Sequence, residues 1–385
     1  MPNNPKILFT VWFANGFHGA VMHISEIAEY LISKGWDAYC VCISQNKKIK
    51  EYFEAKGIKL VTPNKLDYDI EYDIIWNIHF PIFPYLFKKN ILFKKLIFNG
   101  LSAFLEIESP PIFYENYSAI FAVSEETKDQ FVNHYGLPAE KVKVLKNIVP
   151  LSYFSGQISH NKGIKKVLIV SNHVPQELSD SVKLFKQRGI ECDIIGQQHR
   201  YIPINPQILS QYDVIITIGK TVQYSLSLGI PCYNYDYMGG SGYITKDNIE
   251  KEEYYNFSGR SYKTQKTSEQ IVSEIIDGYE NALKNSAFLK EYAQEQYCVS
   301  SQIDPIIDYI MTAPDAKIDS EKYSAVIDQN YFLVDAVCTH YNEIRRLRRE
   351  KKKPLIKKLF YIKKEAKHKV FALFGIKFKI KQTDK

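Results

Sequence analysis

The side chains in the N-terminal third best suited to move a proton are two imidazoles, His18 and His79, and two carboxylates, Glu106 and Glu108. An imidazole titrates near neutral pH, so either histidine can polarise or deprotonate a hydroxyl. His18 lies in the loop Asn15-Gly16-Phe17-His18-Gly19. There Gly16 and Gly19 let the backbone approach a ligand, and the start of the next helix offers N–H groups to an anion. The loop is not the G-x-G-x-x-G dinucleotide fingerprint, and two glycines also serve a plain tight turn. His79 ends the apolar run YDIIWNIHF, while Glu106 and Glu108 stand two apart in LEIESPP, on one face if that stretch is a strand. A hydrogen-bonded structural histidine or a solvated loop carboxylate fits the same residues.

The second half is denser. Ser171-Asn172-His173 follows the run KKVLIVS, and Thr217-Ile218-Gly219-Lys220-Thr221 leads into VQYSLSLG, which carries Gln223 and Tyr224. A glycine turn, a helix start, a hydroxyl and an ammonium together suit a diphosphate cradle. It is not a Walker loop, because the upstream glycine would fall at Val214, so an ATPase is disfavoured. Gly239, Gly240 and Gly242 suggest a further backbone nest, and Arg260 can bring a guanidinium to a phosphate or lie on the surface. Asp67-Tyr68-Asp69 has the D-x-D spacing of a divalent-metal site but sits in a polar stretch before a strand and reads as solvated. The six cysteines form no C-x-x-C pair and no Cys/His cluster, so no metal is expected and a reduced, cytosolic chain fits best.

These residues need a scaffold that brings strand ends together. KILFTVWF, the helical VMHISEIAEYLISKG and DAYCVCI form a βαβ unit, and apolar runs at 58–62, 72–80, 103–108, 119–124 and 142–147 continue it. Residues 150–164 read as a linker. A second alternation starts at 165, and the helices through 312 are expected to pack on that half. The fold class is α/β: two Rossmann-like doubly wound domains facing a cleft, at 1–155 and 165–312, with connector and tail at 313–385.

Composition agrees with a folded chain of 385 residues: 45% hydrophobic and 24% charged. The net charge of +7 is uneven, with 17 Lys/Arg against Glu350, Glu365 and Asp384 in 345–385, or +14, leaving 33 basic and 40 acidic residues elsewhere, or −7. A mildly acidic body argues against nucleic acid as partner. Within 354–374, Leu355, Leu359, Ile362, Ala366, Val370 and Leu373 recur at helical spacing among lysines, which predicts a basic amphipathic helix on an anionic membrane surface. The aromatic and lysine-rich stretch 80–98 is a candidate second contact. With no signal peptide and no spanning run, a cytoplasmic protein peripheral to the inner face of the plasma membrane is expected.

The opening strand, N-G-F-H-G-A, long helix and K-G-W-D-A resemble the N-terminal domain of GT-B glycosyltransferases of family four, as does AIFAVSEETKDQFVNHYGLPAEKVKVLKNIVPLSYF at 119–154. TIGKTVQYSLSLGIPCYNYD is similar to their donor-nucleotide segment. With SNHVPQEL, G-G-S-G-Y and N-F-S-G-R it resembles C-terminal domains of bacterial enzymes of capsule, lipopolysaccharide or cell-wall glycan assembly. The resemblance implies transfer of a sugar from a nucleotide-sugar donor to a lipid-linked or surface glycan acceptor, with no cofactor. With the turns read above, donor contacts are expected at Gly16, Gly19, Asn172, His173, Gly219, Lys220, Thr221, Gln223, Tyr224, Gly239, Gly240 and Arg260. Two positions depart: Asn172 and His173 replace the family's Arg/Lys pair, and Gln223-Tyr224 its donor-binding glutamate. Main-chain amides, Lys220 and His173 can stabilise a leaving diphosphate without a metal. A non-catalytic nucleotide-sugar-binding or scaffold protein is the alternative.

Overall fold

An apolar run buried on both faces makes a strand that helices must cover from either side, and β1 (Lys6–Ala14) is such a strand. The computed structural model describes residues 4–156, 158, 160–351, 360–365, 368–373 and 376–381. After β1 come α1 (Gly19–Ser33), β2 (Asp37–Gln45), α2 (Lys47–Ala55), β3 (Lys59–Val61), β4 (Glu71–Asn77), α3 (Ile82–Lys88), β5 (Leu92–Gly100), β6 (Ala119–Ala122), α4 (Glu125–Asn133) and β7 (Val142–Val144). They form a seven-stranded parallel sheet in the order β3-β2-β1-β4-β5-β6-β7. Chain direction across the sheet reverses between β1 and β4, so the loops after these two strands open onto one crevice. His18 and His79 are in those loops.

The second lobe contains β8 (Lys166–Val170), α5 (Gln176–Gln187), β9 (Glu191–Ile195), α6 (Pro206–Leu209), β10 (Val214–Thr217), α7 (Lys220–Leu228), β11 (Cys232–Asp236), β12 (Gly239–Tyr243), α8 (Ile249–Tyr254) and α9 (Ser268–Tyr297). Its five strands run β12-β11-β10-β8-β9, with β12 antiparallel. Here the switch lies between β8 and β10, which points the 171–173 and 218–221 turns at the same space.

The helices through 312 do not all stay on the second half. α10 (Val299–Thr312) returns to the first lobe, where Val299, Ile303 and Ile310 join its core and the Tyr30 hydroxyl donates to Asp304 at 2.8 Å. The return lies beside the outgoing linker: Val149 N–H donates to Tyr297 O at 2.7 Å, and Val299 N–H to Val149 O at 3.0 Å. The expected connector is likewise bound to the first lobe, through Ala316 N–H on Lys94 O and Lys95 on Asp315 at 2.8 Å each.

Three further expectations are corrected. Stretch 80–98 forms the buried α3 and the strand β5, with Phe83, Leu86, Ile97 and Phe98 wholly inside, so it is no membrane contact. Residues 103–108 are a loop closing in a 3₁₀ turn at Glu106–Glu108 rather than a strand. At three residues per turn, i and i+2 point apart, and Glu106 is exposed while Glu108 is buried. In the tail, α11 (Ser324–Lys351) is followed by an antiparallel meander, β13 (Phe360–Glu365), β14 (His368–Leu373) and β15 (Ile376–Lys381), in place of a helix over 354–374. Its positions 354–359, 366–367 and 374 lie outside the described residues. The contacts divide the chain into compact units Met1–Tyr331 and Phe332–Lys385. Among the described residues no helix is long and apolar enough to cross a membrane.

Candidate functional site

The strand ends of the two lobes enclose a cavity of about 370 Å³. Phe17, His18 and Gly19 line it from the first lobe; Asn172, His173, Lys220, Thr221, Tyr224 and Asp236 line it from the second. A second cavity of about 480 Å³ is lined by Phe13, His79, Leu101, Leu105, Glu108, Asn147 and Asn256. His18, Gly19 and Lys220 line both, so they form the wall between them.

His18 stands at the N-cap of α1, and its Nε2 lies 2.9 Å from Phe13 O. A carbonyl can only accept, so Nε2 carries the hydrogen and Nδ1 keeps its lone pair. Burial lowers the pKa of this imidazole, so it is neutral at pH 7. His79 differs. Its Nδ1 accepts the Trp12 N–H at 2.6 Å, and its Nε2 faces Glu108 Oε1 at 3.3 Å. Glu108 also accepts the Leu101 N–H at 2.7 Å. Both nitrogens of His79 are engaged, so His79 and Glu108 tie the loops after β4 and β5 to the end of β1 rather than offering the free base expected. Exposed Glu106 lines neither cavity.

Gly219 adopts φ +62° as N-cap of α7, in the left-handed region that favours glycine. Its N–H donates to Phe257 O at 2.8 Å, whereas the amides of Lys220 and Thr221 have no partner among the described residues. Two orphan donors at a helix start facing a cavity suit an anion. The Lys220 side chain is already committed. Its Nζ lies 2.6 Å from Glu26 Oε2 and 3.0 Å from Ile148 O, and the Tyr224 hydroxyl donates to the same carboxylate. Tyr153 stacks on Tyr224 at 4.6 Å between ring centroids. Burial pushes the Glu26 carboxyl up and the Lys220 ammonium down in pKa, opposed in each case by the partner's charge.

Other expected donor contacts are also diverted. Arg260 makes a bidentate pair with Glu126 of α4, with Nε 3.0 Å from Oε1. The expected nest at Gly239 and Gly240 is buried in β12, where a Cβ would strike the Thr264 and Asn234 backbones, so these glycines serve close packing. Gln223 is buried and lines neither cavity. Gly16 is also outside the cavity lining, and a Cβ there would strike the Tyr201 hydroxyl of the other lobe. Asp67 and Asp69 are exposed in the turn preceding β4, at the end of the strand away from the crevice.

Sequence reasoning missed Glu26 and Asp236. Asp236 ends β11, buried, accepting the Ser171 hydroxyl at 2.9 Å and the Tyr237 N–H at 2.8 Å. Burial lifts its pKa to about 6, countered by those donors and by His173. Glu26 had a readable signal: it is four residues from both Met22 and Tyr30, hence on their helix face, and all three are buried.

No protein-family model and no curated protein sequence matches the chain. Among solved structures it is similar to a glycosyltransferase from Rickettsia africae ESF-5, at 14% identity and TM-score 0.52, covering 80% of this chain and 98% of that one. It is also similar to WaaG, a glycosyltransferase involved in lipopolysaccharide biosynthesis, at 10% identity and TM-score 0.50, covering 80% and 100%. With its two lobes and interlobe cavity, the chain has the GT-B fold of glycosyltransferases.

Proposed function

We propose that the chain is a glycosyltransferase that moves a sugar from a nucleotide-sugar donor to a glycan or lipid-linked acceptor in the assembly of a bacterial surface polysaccharide. One observation carries this reading: an anion-suited helix start and a lone-pair imidazole meet at the wall between two cavities. The donor occupies the 370 Å³ cavity with its diphosphate on the Lys220 and Thr221 amides. As the glycosidic bond breaks, charge gathers on the diphosphate, and preorganised N–H dipoles stabilise it without reorganising. Catalysis needs no metal on this reading. The acceptor enters through the second cavity, and His18 Nδ1 takes the proton of its attacking hydroxyl. Leu105, exposed by 43% on the lining of that cavity, and its chain neighbour Phe104, exposed by 60%, favour an acceptor carried on lipid.

The experiment is to incubate the protein with UDP-, GDP- and other nucleotide sugars, following binding by calorimetry and slow release of nucleoside diphosphate without acceptor. Binding and release with one nucleotide series is expected. Binding without release under any condition would favour the non-catalytic alternative, and no binding at all would overturn the reading.

Localisation follows from charge. With +14 in 345–385 and roughly 1 kcal/mol per basic residue near an anionic surface, this segment holds the protein on the inner leaflet. Deleting 345–385 should move the protein from the membrane to the soluble fraction of a lysate. Unchanged fractionation would rule this anchor out.

A further inference from the structure

The carboxylate of Asp236 has no part in the steps above, although it lines the donor cavity. Strands β11, β10 and β8 are adjacent, with Thr217 in register with Asn234 on one side and Val170 on the other. The 2.9 Å bond from Ser171 to Asp236 therefore bridges the end of β10, in front of the turn into α7. Each carboxylate oxygen accepts one hydrogen bond from the protein, and each can accept a second. Beside it stand Asn172, His173 and Tyr237.

A buried carboxylate repels phosphate oxygens and attracts hydroxyl donors. The two ends of the cavity are thus chemically unlike: amides at the start of α7 for anions, and an acceptor at the end of β11 for O–H groups. We infer that Asp236 is a specificity-determining residue that accepts hydrogen bonds from hydroxyls of the bound donor, either of the transferred sugar or of the ribose. The assignment rests on the donor occupying this cavity, as proposed above. Ser171 has a supporting part: its oxygen accepts the His173 N–H at 3.0 Å while its hydrogen is given to Asp236, which fixes both the turn and the carboxylate.

The test compares Asp236→Asn with Ser171→Ala by calorimetry, using the sugar nucleotide that the wild type binds and its nucleoside diphosphate. A hydrogen bond to a charged group corresponds to about 10- to 100-fold in affinity. Asp236→Asn should bind the sugar nucleotide weaker by that factor, with Ser171→Ala within about threefold of wild type. Retained diphosphate affinity then assigns the contact to the transferred sugar, and equal loss assigns it to the ribose. Asp236→Asn indistinguishable from wild type, or matched by Ser171→Ala, would overturn the inference, since the carboxylate would then act only through the turn. The wild-type protein gives a readout that needs no variant. Across monodeoxy sugar nucleotides and the 2′-deoxy and 3′-deoxy nucleotides, one analogue should bind at least about tenfold weaker. A flat series overturns the assignment. Wild-type protein that binds no nucleotide at all would instead sink the proposed function.

Discussion

Lys220→Met should destabilise the Met1–Tyr331 unit by about 3–5 kcal/mol, the usual cost of stranding one partner of a buried ion pair. Lys220 and Glu26 are almost wholly inside, on helices of opposite lobes, and the pair with Tyr224 joins α1 to α7. The size of the loss should depend on pH with a definite sign. With Lys220 gone, the Glu26 carboxyl has its folded pKa raised above its unfolded value by burial. Its protonated form is then favoured in the fold, a contribution present at acid pH and lost as pH rises through the folded pKa. The variant is therefore closest to wild type in acid. Glu26→Gln should do the reverse. It strands an ammonium whose pKa burial already depresses, and the neutral amine is tolerated, so its deficit shrinks as pH rises. Urea unfolding of both variants at acid, neutral and alkaline pH checks this. Losses under about 1 kcal/mol, or the same pH trend in both, would show that the pair is solvated.

His18→Gln should lower kcat by about 10²–10⁴-fold while leaving donor affinity nearly unchanged. The imidazole must be unprotonated to accept the acceptor's proton, so activity rises with pH through its pKa. Burial depresses that pKa, placing the acid limb of the kcat/KM profile below the ordinary histidine value of 6.5. The variant should lose that limb along with its rate. A limb that persists in His18→Gln would assign the titration to another group. His79→Leu, in contrast, removes the acceptor of the Trp12 N–H and should show mainly as lost stability, about 1–3 kcal/mol for an unsatisfied buried donor.

Much of this architecture is legible from residue order alone. Parallel strands covered on both faces must be apolar throughout, and KILFTVWF, DAYCVCI and KKVLIVS therefore stand out between glycine-bounded helices. The positions of His18 and of the 219–221 turn follow from the rule that strand ends carry the site. What sequence reading missed was who partners whom. Lys220 looks like a free phosphate-binding cation until Glu26 is placed against it, and Glu26 and Tyr224 are 198 positions apart. Arg260 is diverted by Glu126 in the same way, across the lobe boundary. The return of α10 to the first lobe leaves no local mark either, because an apolar helix face does not say which core it joins. LEIE and the tail failed for a different reason. Short apolar alternation and scattered lysines fit more than one period, and Pro110-Pro111 end the former before it can form a ladder.

The central claim is that an activated sugar lies between the lobes with its diphosphate on main-chain nitrogens at the start of α7. A crystal structure with the bound nucleoside diphosphate tests it most directly. Phosphate oxygens within about 3 Å of the Lys220 and Thr221 amides, with Lys220 Nζ still on Glu26, are the predicted result. A nucleotide lodged outside the interlobe cavity, or phosphates bound elsewhere in it with those two amides left to water, would contradict the account.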